Sequence, residues 1–194
     1  MPRLYIIAGC NGAGKTTASN TLLPTILKCK EFVNADSIAA GLSPFDVDKY
    51  AVEAGRLMLR RMEQLIEEDS DFAIETTLSS KTYVQRIVSA KKKGYQVVLV
   101  FFILEDVRLA IQRVKKRVKS GGHQIPEEVI VRRYERGIKN FFDLYITKVD
   151  SWVVIDNSTN ESILVAEGEL GQKDKIKEKV KWQKLKDHYQ KNTR

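Results

Sequence analysis

Apolar residues along the chain follow two rhythms. Short unbroken runs at residues 4–8, 72–74 and 95–104 read as strands buried on both faces, as in a parallel sheet. Residues 31–35 (EFVNA) and 151–155 (SWVVI) add two more strands, and 163–166 predicts an edge strand. Between the runs, apolar positions recur every three or four residues, the helical spacing. One such pattern follows residue 15 and is expected to stop at Pro24. Ala51, Ala54, Leu57, Met58, Met62, Leu65 and Ile66 mark a long helix over 47–68, opened by Ser43-Pro44-Phe45-Asp46. Ser79 or Ser80 is placed to cap a helix that runs to Lys93 and closes at Gly94. Two more helices, 105–119 and 126–145, flank a break at Ser120-Gly121-Gly122-His123. Their core stripes are Val107, Ala110, Ile111, Val114 and Val118, then Ile130, Tyr134, Ile138 and Phe141.

Strands alternating with helices predict one α/β domain over residues 1–170, with helices on both faces of a mostly parallel sheet. Ligands of such sheets bind beyond the carboxyl ends of the strands. Four of those ends carry polar groups: residues 9–16, Asp36, Glu75 and Asp156. Asp156 reads as a turn residue.

The first of these ends is the most specific. Gly9-Cys-Asn-Gly-Ala-Gly14-Lys15-Thr16 fits G-x-x-x-x-G-K-[ST], between a strand and a helix as that motif requires. Glycines let backbone amides curl around a polyphosphate, and the helix dipole adds positive potential. Gly9, Asn11, Gly12, Ala13, Gly14, Lys15, Thr16 and Thr17 are therefore the nucleotide-binding candidates. Lys15 is expected as an exposed loop charge reaching the β- and γ-phosphates, and Thr16 as a Mg²⁺ ligand. The implied cofactors are ATP, or another nucleoside triphosphate, and Mg²⁺. Cys10 fits as a space-filling residue.

Composition narrows the partners. The formal net charge of +8 would suggest nucleic acid, but residues 171–194 hold nine Lys/Arg against three Asp/Glu and supply +6 of it. The domain itself is nearly balanced, which argues against a nucleic-acid partner. The tail predicts a basic helix with Ile176 and Val180 on one side and Trp182, Leu185 and Tyr189 on the other. A solvated tail is the plainer expectation, and docking through one patch the alternative. Two cysteines without a pairing or metal pattern, no leader and no long apolar segment fit a cytoplasmic protein away from the membrane.

Asp36, at the end of the second strand, can act as base toward an acceptor hydroxyl, or simply cap the next helix. Glu75 can hold Mg²⁺, directly or through water, bind substrate hydroxyls, or cap a turn. Ser37, Thr76, Thr77 and Ser79 stand beside these two as acceptor contacts. Arg113 and Arg117 lie four apart on one helix face, and Arg133 and Arg136 three apart on the next. With Gly121-Gly122 as hinge, residues 105–145 can form a flap that carries arginines to the transferring phosphoryl group. His123 either contacts phosphate or caps the break.

With these pieces in place the chain resembles the zeta toxin family of P-loop kinases. The carrying residues are 9–17, Asn34-Ala35-Asp36-Ser37-Ile38-Ala39, Ile74-Glu75-Thr76-Thr77-Leu78, Arg113 to Arg117, residues 121–126 and Arg132-Arg133-Tyr134. The resemblance implies a kinase-type P-loop NTPase fold, three-layer α/β/α with a helical flap. It also implies phosphorylation of a sugar hydroxyl on a UDP-N-acetylglucosamine-type acceptor, and a small antitoxin partner. It makes Lys15 the phosphate lysine, Asp36 the base, Glu75 a metal or substrate ligand, and Arg113 and Arg117 the charge stabilisers. A departure is His123, which stands about where a second arginine is expected. The competing readings are a nucleotide-dependent ATPase or switch, with water as nucleophile, and a polynucleotide kinase.

Overall fold

The computed structural model describes residues 1–191. Strand β1 (Arg3–Gly9) is followed by helix α1 (Lys15–Thr21), β2 (Glu31–Val33), α2 (Ala35–Leu42), α3 (Val47–Glu67) and β3 (Phe72–Thr76). Next come α4 (Thr82–Lys92), β4 (Gln96–Ile103), α5 (Val107–Lys119) and α6 (Glu127–Asn140). The chain ends in β5 (Ser151–Asp156), β6 (Ile163–Glu169), β7 (Lys175–Ile176) and α7 (Lys179–Lys191).

The seven-stranded sheet has the order β2-β3-β1-β4-β5-β6-β7. The first five strands are parallel, β6 runs antiparallel to β5, and β7 runs antiparallel to β6. Leu4, Ile6, Ile7 and Ala8 of β1, and Val97 and Leu99 of β4, have no exposed surface, as expected of inner strands covered on both faces. The β1-to-β2 connection steps along the sheet in the opposite direction to β2-to-β3 and β3-to-β4. Right-handed crossovers therefore put α1 on one face and α3 and α4 on the other, where those two pack together. β1 is thus the switch point, and its carboxyl end opens the crevice where ligands of such sheets bind. No helix among the described residues is long and apolar enough to cross a membrane.

Several local expectations need correction. Pro24 does not stop the first helix: the α-helix ends at Thr21 and the chain continues through a π-turn, Leu22–Ile26, that contains the proline. A wider turn tolerates a residue that cannot donate. The helix after β3 starts at Thr82 without a side-chain cap, and Ser80 Oγ instead accepts from Thr82 N at 3.1 Å, forming a local turn. The expected edge strand at 163–166 is longer and lies inside the sheet, because β7 covers it.

The largest surprise is the basic tail, which is docked. Trp182 and Leu185 join the main core at 8% and 5% exposure, while Val180, on the other patch, stays 71% exposed. Trp182 stacks on Trp152 with ring centroids 5.6 Å apart and planes 9° apart, and Phe142 packs against both Trp182 and Tyr189. A run of lysines hides two aromatics and a leucine spaced to one helix face, and burial of that face outweighs the solvation of its charged neighbours.

Trp182→Ala should therefore lower stability by about 3 kcal/mol, the usual cost of emptying a buried indole site. Urea unfolding followed by circular dichroism measures it. A loss within about 0.5 kcal/mol, the range for surface changes, would return the helix to solvent.

Candidate functional site

The loop between β1 and α1 is shaped by close approaches that leave no room for side chains. A Cβ on Gly9, whose φ is +146°, would lie 2.4 Å from the Phe102 carbonyl oxygen. One on Gly14, at φ +82°, would lie 2.3 Å from the Asn157 amide nitrogen. Gly14 immediately precedes α1, and no side chain caps that helix, so its first amides remain available to an anion. Asn157 Nδ2 donates to Ala13 O at 2.8 Å, tying the loop to the end of β5. Burial pushes the Cys10 thiol up to about 11, which fits a packing role and no nucleophilic one.

Lys15 is not the exposed charge the sequence suggests. It is 6% exposed, donates to Cys10 O at 3.0 Å, and lies 3.7 Å from Glu75 Oε1. Glu75 also accepts from Thr16 Oγ1 at 2.8 and 3.1 Å. The register of β1 against β3, with Ile7 opposite Glu75, brings the carboxylate under the loop. A hydroxyl and a carboxylate converging this way form the hard-oxygen set that Mg²⁺ takes when phosphates and water complete its shell. The residues fit that ion. Among the described residues no group of three or more His, Cys, Asp or Glu is arranged to hold a metal by itself.

Asp36 does not end β2, which stops at Val33, and it does not cap the following helix. Asn34 is the cap, its Oδ1 accepting from Asp36 N at 2.8 Å and Ser37 N at 3.2 Å. Asp36 therefore sits in the first turn of α2 with its side chain exposed. It lines a cavity of about 190 Å³ together with Lys15, Glu75, Thr77, Ser79 and Arg133. Thr76, Ser80 and Tyr83 complete the polar wall. Burial, then the Asp36 charge, raise the Tyr83 phenol above its usual range. Thr77 and Ser79 share a hydrogen bond at 2.8 Å. Ser37 and Thr17 are exposed and do not line this cavity.

The helical flap is the α5–α6 hairpin, and its foot is fixed. Tyr134 donates to Leu104 O at 2.8 Å and Asn140 to Leu78 O at 2.6 Å. A Cβ at Gly137 would sit 2.7 Å from Thr77 O, so α6 lies directly against the Thr77 side of this cavity. The same contacts hold Leu78 at φ +55°, a conformation a leucine keeps only when its surroundings impose it. The glycine pair is a helix cap, where a slack hinge was expected. Gly122 N bonds Arg117 O and Gly121 N bonds Val118 O, both at 3.0 Å, with Gly121 left-handed, which is the Schellman pattern.

The arginines divide differently from the sequence expectation. Arg113 spends its guanidinium on backbone carbonyls, Asn157 O at 2.8 Å, Ser158 O at 3.0 Å and Gly12 O at 3.4 Å, so it braces the loop from behind. Arg117 is exposed and bonds His123 O. Arg136 is exposed and outside the cavity. Arg133 faces the site, donating to Asn11 Oδ1 at 3.1 Å while lining the cavity. His123 pairs with Asp48 of α3 at 3.0 Å. Sequence reasoning missed Asn34, Tyr83 and Asn157. An Asn two residues before a candidate carboxylate is a cap signal that was legible. The other two owe their place to tertiary packing alone.

Residues 1–168 match the family model described as Zeta toxin. A Haemophilus influenzae protein described as uncharacterized is 32% identical over 126 residues, which is 65% of this chain and 88% of that one. The crystal structure of the AvrRxo1-ORF1:-ORF2 complex with ATP aligns at a TM-score of 0.78 and 17% identity, over 95% of this chain. The chain spans 63% of the AvrRxo1 chain it matches. The PezAT chromosomal toxin–antitoxin system of Streptococcus pneumoniae aligns at 0.67 and 15% identity, over 100% of this chain and 88% of that one. At these identities the structural likeness speaks for the fold.

Two measurements test this geometry. Lys15→Ala should lose stability by about 3 kcal/mol as well as nucleotide binding, because it strands Glu75 under the loop. Lys15→Met combined with Glu75→Gln should regain most of the stability and none of the binding. Equal stability in the single variant and the wild type would mean the pair is not buried in solution. Hydrogen exchange with and without ATP-Mg²⁺ should change at the flap tip, residues 115–129, more than at residues 130–140, where α6 is bonded to the sheet. Uniform change along the hairpin would show that its foot moves too.

Proposed function

Because the chain belongs to the zeta toxin family, we propose that it is a kinase moving the γ-phosphoryl group of ATP to a hydroxyl of a small acceptor seated at Asp36. The observation that carries the reading is the convergence of Lys15, Glu75, Asp36 and Arg133 on one cavity. Loop amides and Lys15 bind the phosphates, and Lys15 moves from Cys10 O toward the oxygens it neutralises. Thr16 and Glu75 would hold Mg²⁺, which when bound neutralises charge on the β- and γ-phosphates. Asp36, held in place by the Asn34 cap, accepts the acceptor's hydroxyl proton and aims its oxygen in line. Arg133, on the α6 wall, offsets charge that grows on the transferring group and takes the part first assigned to Arg113 and Arg117.

The acceptor is a sugar-sized polyol or the sugar of a nucleotide sugar such as UDP-N-acetylglucosamine. The reasons are the cavity's volume of about 190 Å³ and its hydroxyl-rich lining of Thr76, Thr77, Ser79, Ser80 and Tyr83. A nucleotide sugar would place its sugar inside and its base on the rim. A small antitoxin partner is a further part of this reading. The family, and the likeness to the PezAT toxin–antitoxin system, support it.

An ATP-consumption screen against UDP-sugars, free sugars, nucleosides and a 5′-hydroxyl oligonucleotide identifies the acceptor. Turnover only with water or only with the oligonucleotide would replace this reading. With the acceptor known, Asp36→Asn should lower transfer by roughly 10²- to 10⁴-fold, the range of general-base effects, with ATP-Mg²⁺ affinity little changed. Stability should hold, since Asn34 and not Asp36 caps the helix. Full transfer by that variant would make Glu75 the carboxylate to test next.

A further inference from the structure

Helix α7 lies beyond the family-matched residues, yet one of its lysines reaches the end of β5. Asp156, the last residue of β5, is 3% exposed. Lys181 Nζ donates to Asp156 Oδ2. The other carboxylate oxygen, Oδ1, accepts from Ser158 N at 2.9 Å and from Ser158 Oγ. Burial pushes this carboxyl upward, but the bonds from Lys181 and Ser158 outweigh it and leave the group below its usual range. A carboxylate so enclosed needs its cation, because a buried charge without a partner is costly.

The turn that Asp156 closes is the one on which the phosphate loop rests. Asn157 N donates to Ile103 O at 3.0 Å, and Glu105 N to Ser158 Oγ at 2.9 Å, fixing the turn to the end of β4. Ser162 Oγ donates to Asn157 Oδ1 at 2.8 Å, which orients the amide so that Nδ2 faces the loop and bonds Ala13 O. The carbonyls of Asn157 and Ser158 receive Arg113, which also reaches Gly12 O. Polar contacts therefore run unbroken from α7 to the backbone of the phosphate loop.

We propose that Lys181 and Asp156 are positioning residues for nucleotide binding, through which the docked C-terminal helix sets the register of the phosphate loop. The proposal goes beyond the transfer reaction and rests only on the nucleotide-binding half of the reading above. Without Lys181 the carboxylate rearranges or takes a proton, the turn loosens, and the Ala13 and Gly12 carbonyls lose the groups that hold them. Loop amides that must all point at one anion are then less often aligned.

The test has a ligand-free readout and a ligand readout, both on the full chain. Hydrogen exchange without nucleotide should quicken at residues 10–16 and 156–160 in Lys181→Met and in Asp156→Asn. It should not quicken in Lys184→Met, a charge loss on the same helix, or in Ile87→Val, a core truncation in α4 away from the network. Titration with ATP-Mg²⁺ should show dissociation constants raised roughly three- to tenfold in the first two, the usual size of coupling through packed networks. The double variant should be no weaker than either single. Ser162→Ala, which frees only the Asn157 amide to rotate, should move both readouts the same way by less, and it serves should Lys181→Met not fold. Loop exchange unchanged in folded Lys181→Met, or quickened loop exchange with unchanged ATP affinity, would overturn the proposal. A wild type that binds ATP but transfers to no acceptor would sink the kinase reading and leave this one standing. Quickened loop exchange in a chain that binds no ATP would sink the proposal along with the nucleotide reading.

Discussion

The contact between Lys15 and Glu75 is the constraint on which the site depends. The two side chains are 7% and 8% exposed, and each would be costly there alone. The phosphate loop and the end of β3 must therefore stay in register. That register also brings Thr16 to Glu75 and places Thr76, the last residue of β3, beside the loop with Thr77 just after it. Lys15, the Thr16–Glu75 oxygens and the Thr76 side of the cavity thus share one electrostatic origin.

Around that pair the scaffold is stiff where position matters. The cavity wall at residues 76–80 is bonded to α6 at Leu78, and to the turn after it through Tyr145, whose hydroxyl donates to Ser80 O at 2.6 Å. Leu78 sits in a left-handed conformation under those bonds, a local cost that the packing of Asn140 and Gly137 overrides. A wall held this tightly suits a reaction in which a hydroxyl must be aimed and little covalent chemistry is asked of the protein. Freedom is left to the outer end of the α5–α6 hairpin, where the Lys115–Glu127 and His123–Asp48 pairs are largely solvated and individually weak.

The tail shows how a net charge misleads. Its lysines dominate the composition, yet Trp182, Leu185 and Tyr189 share a helix face that closes over Trp152 and Phe142. One lysine, Lys181, has turned from a surface charge into the partner of a buried carboxylate. The tail thereby packs beside the turn that supports the phosphate loop, while its other lysines such as Lys173, Lys175, Lys179 and Lys184 stay exposed.

What the sequence determined by itself is whatever short-range chemistry dictates. Short apolar runs without alternation, bounded by turn residues, read as inner strands, and G-x-x-x-x-G-K-T between a strand and a helix reads as a loop open to an anion. That Asp36 and Glu75 lie near one edge of the sheet was legible because strand ends in parallel sheets share it, although Asp36 stands in the first turn of α2 and not at the end of β2. The tertiary structure decided which polar groups face one another across that edge. It drew Arg113 behind the loop, because carbonyls of Gly12, Asn157 and Ser158 converge there, and left Arg133 to face the cavity. It closed the Gly121–Gly122 break into a cap and buried Lys15. None of this follows from helical spacing, because spacing says which residues share a face but not what that face meets. That depends on contacts between residues more than a hundred positions apart, such as Ala13 with Asn157 and Asn11 with Arg133.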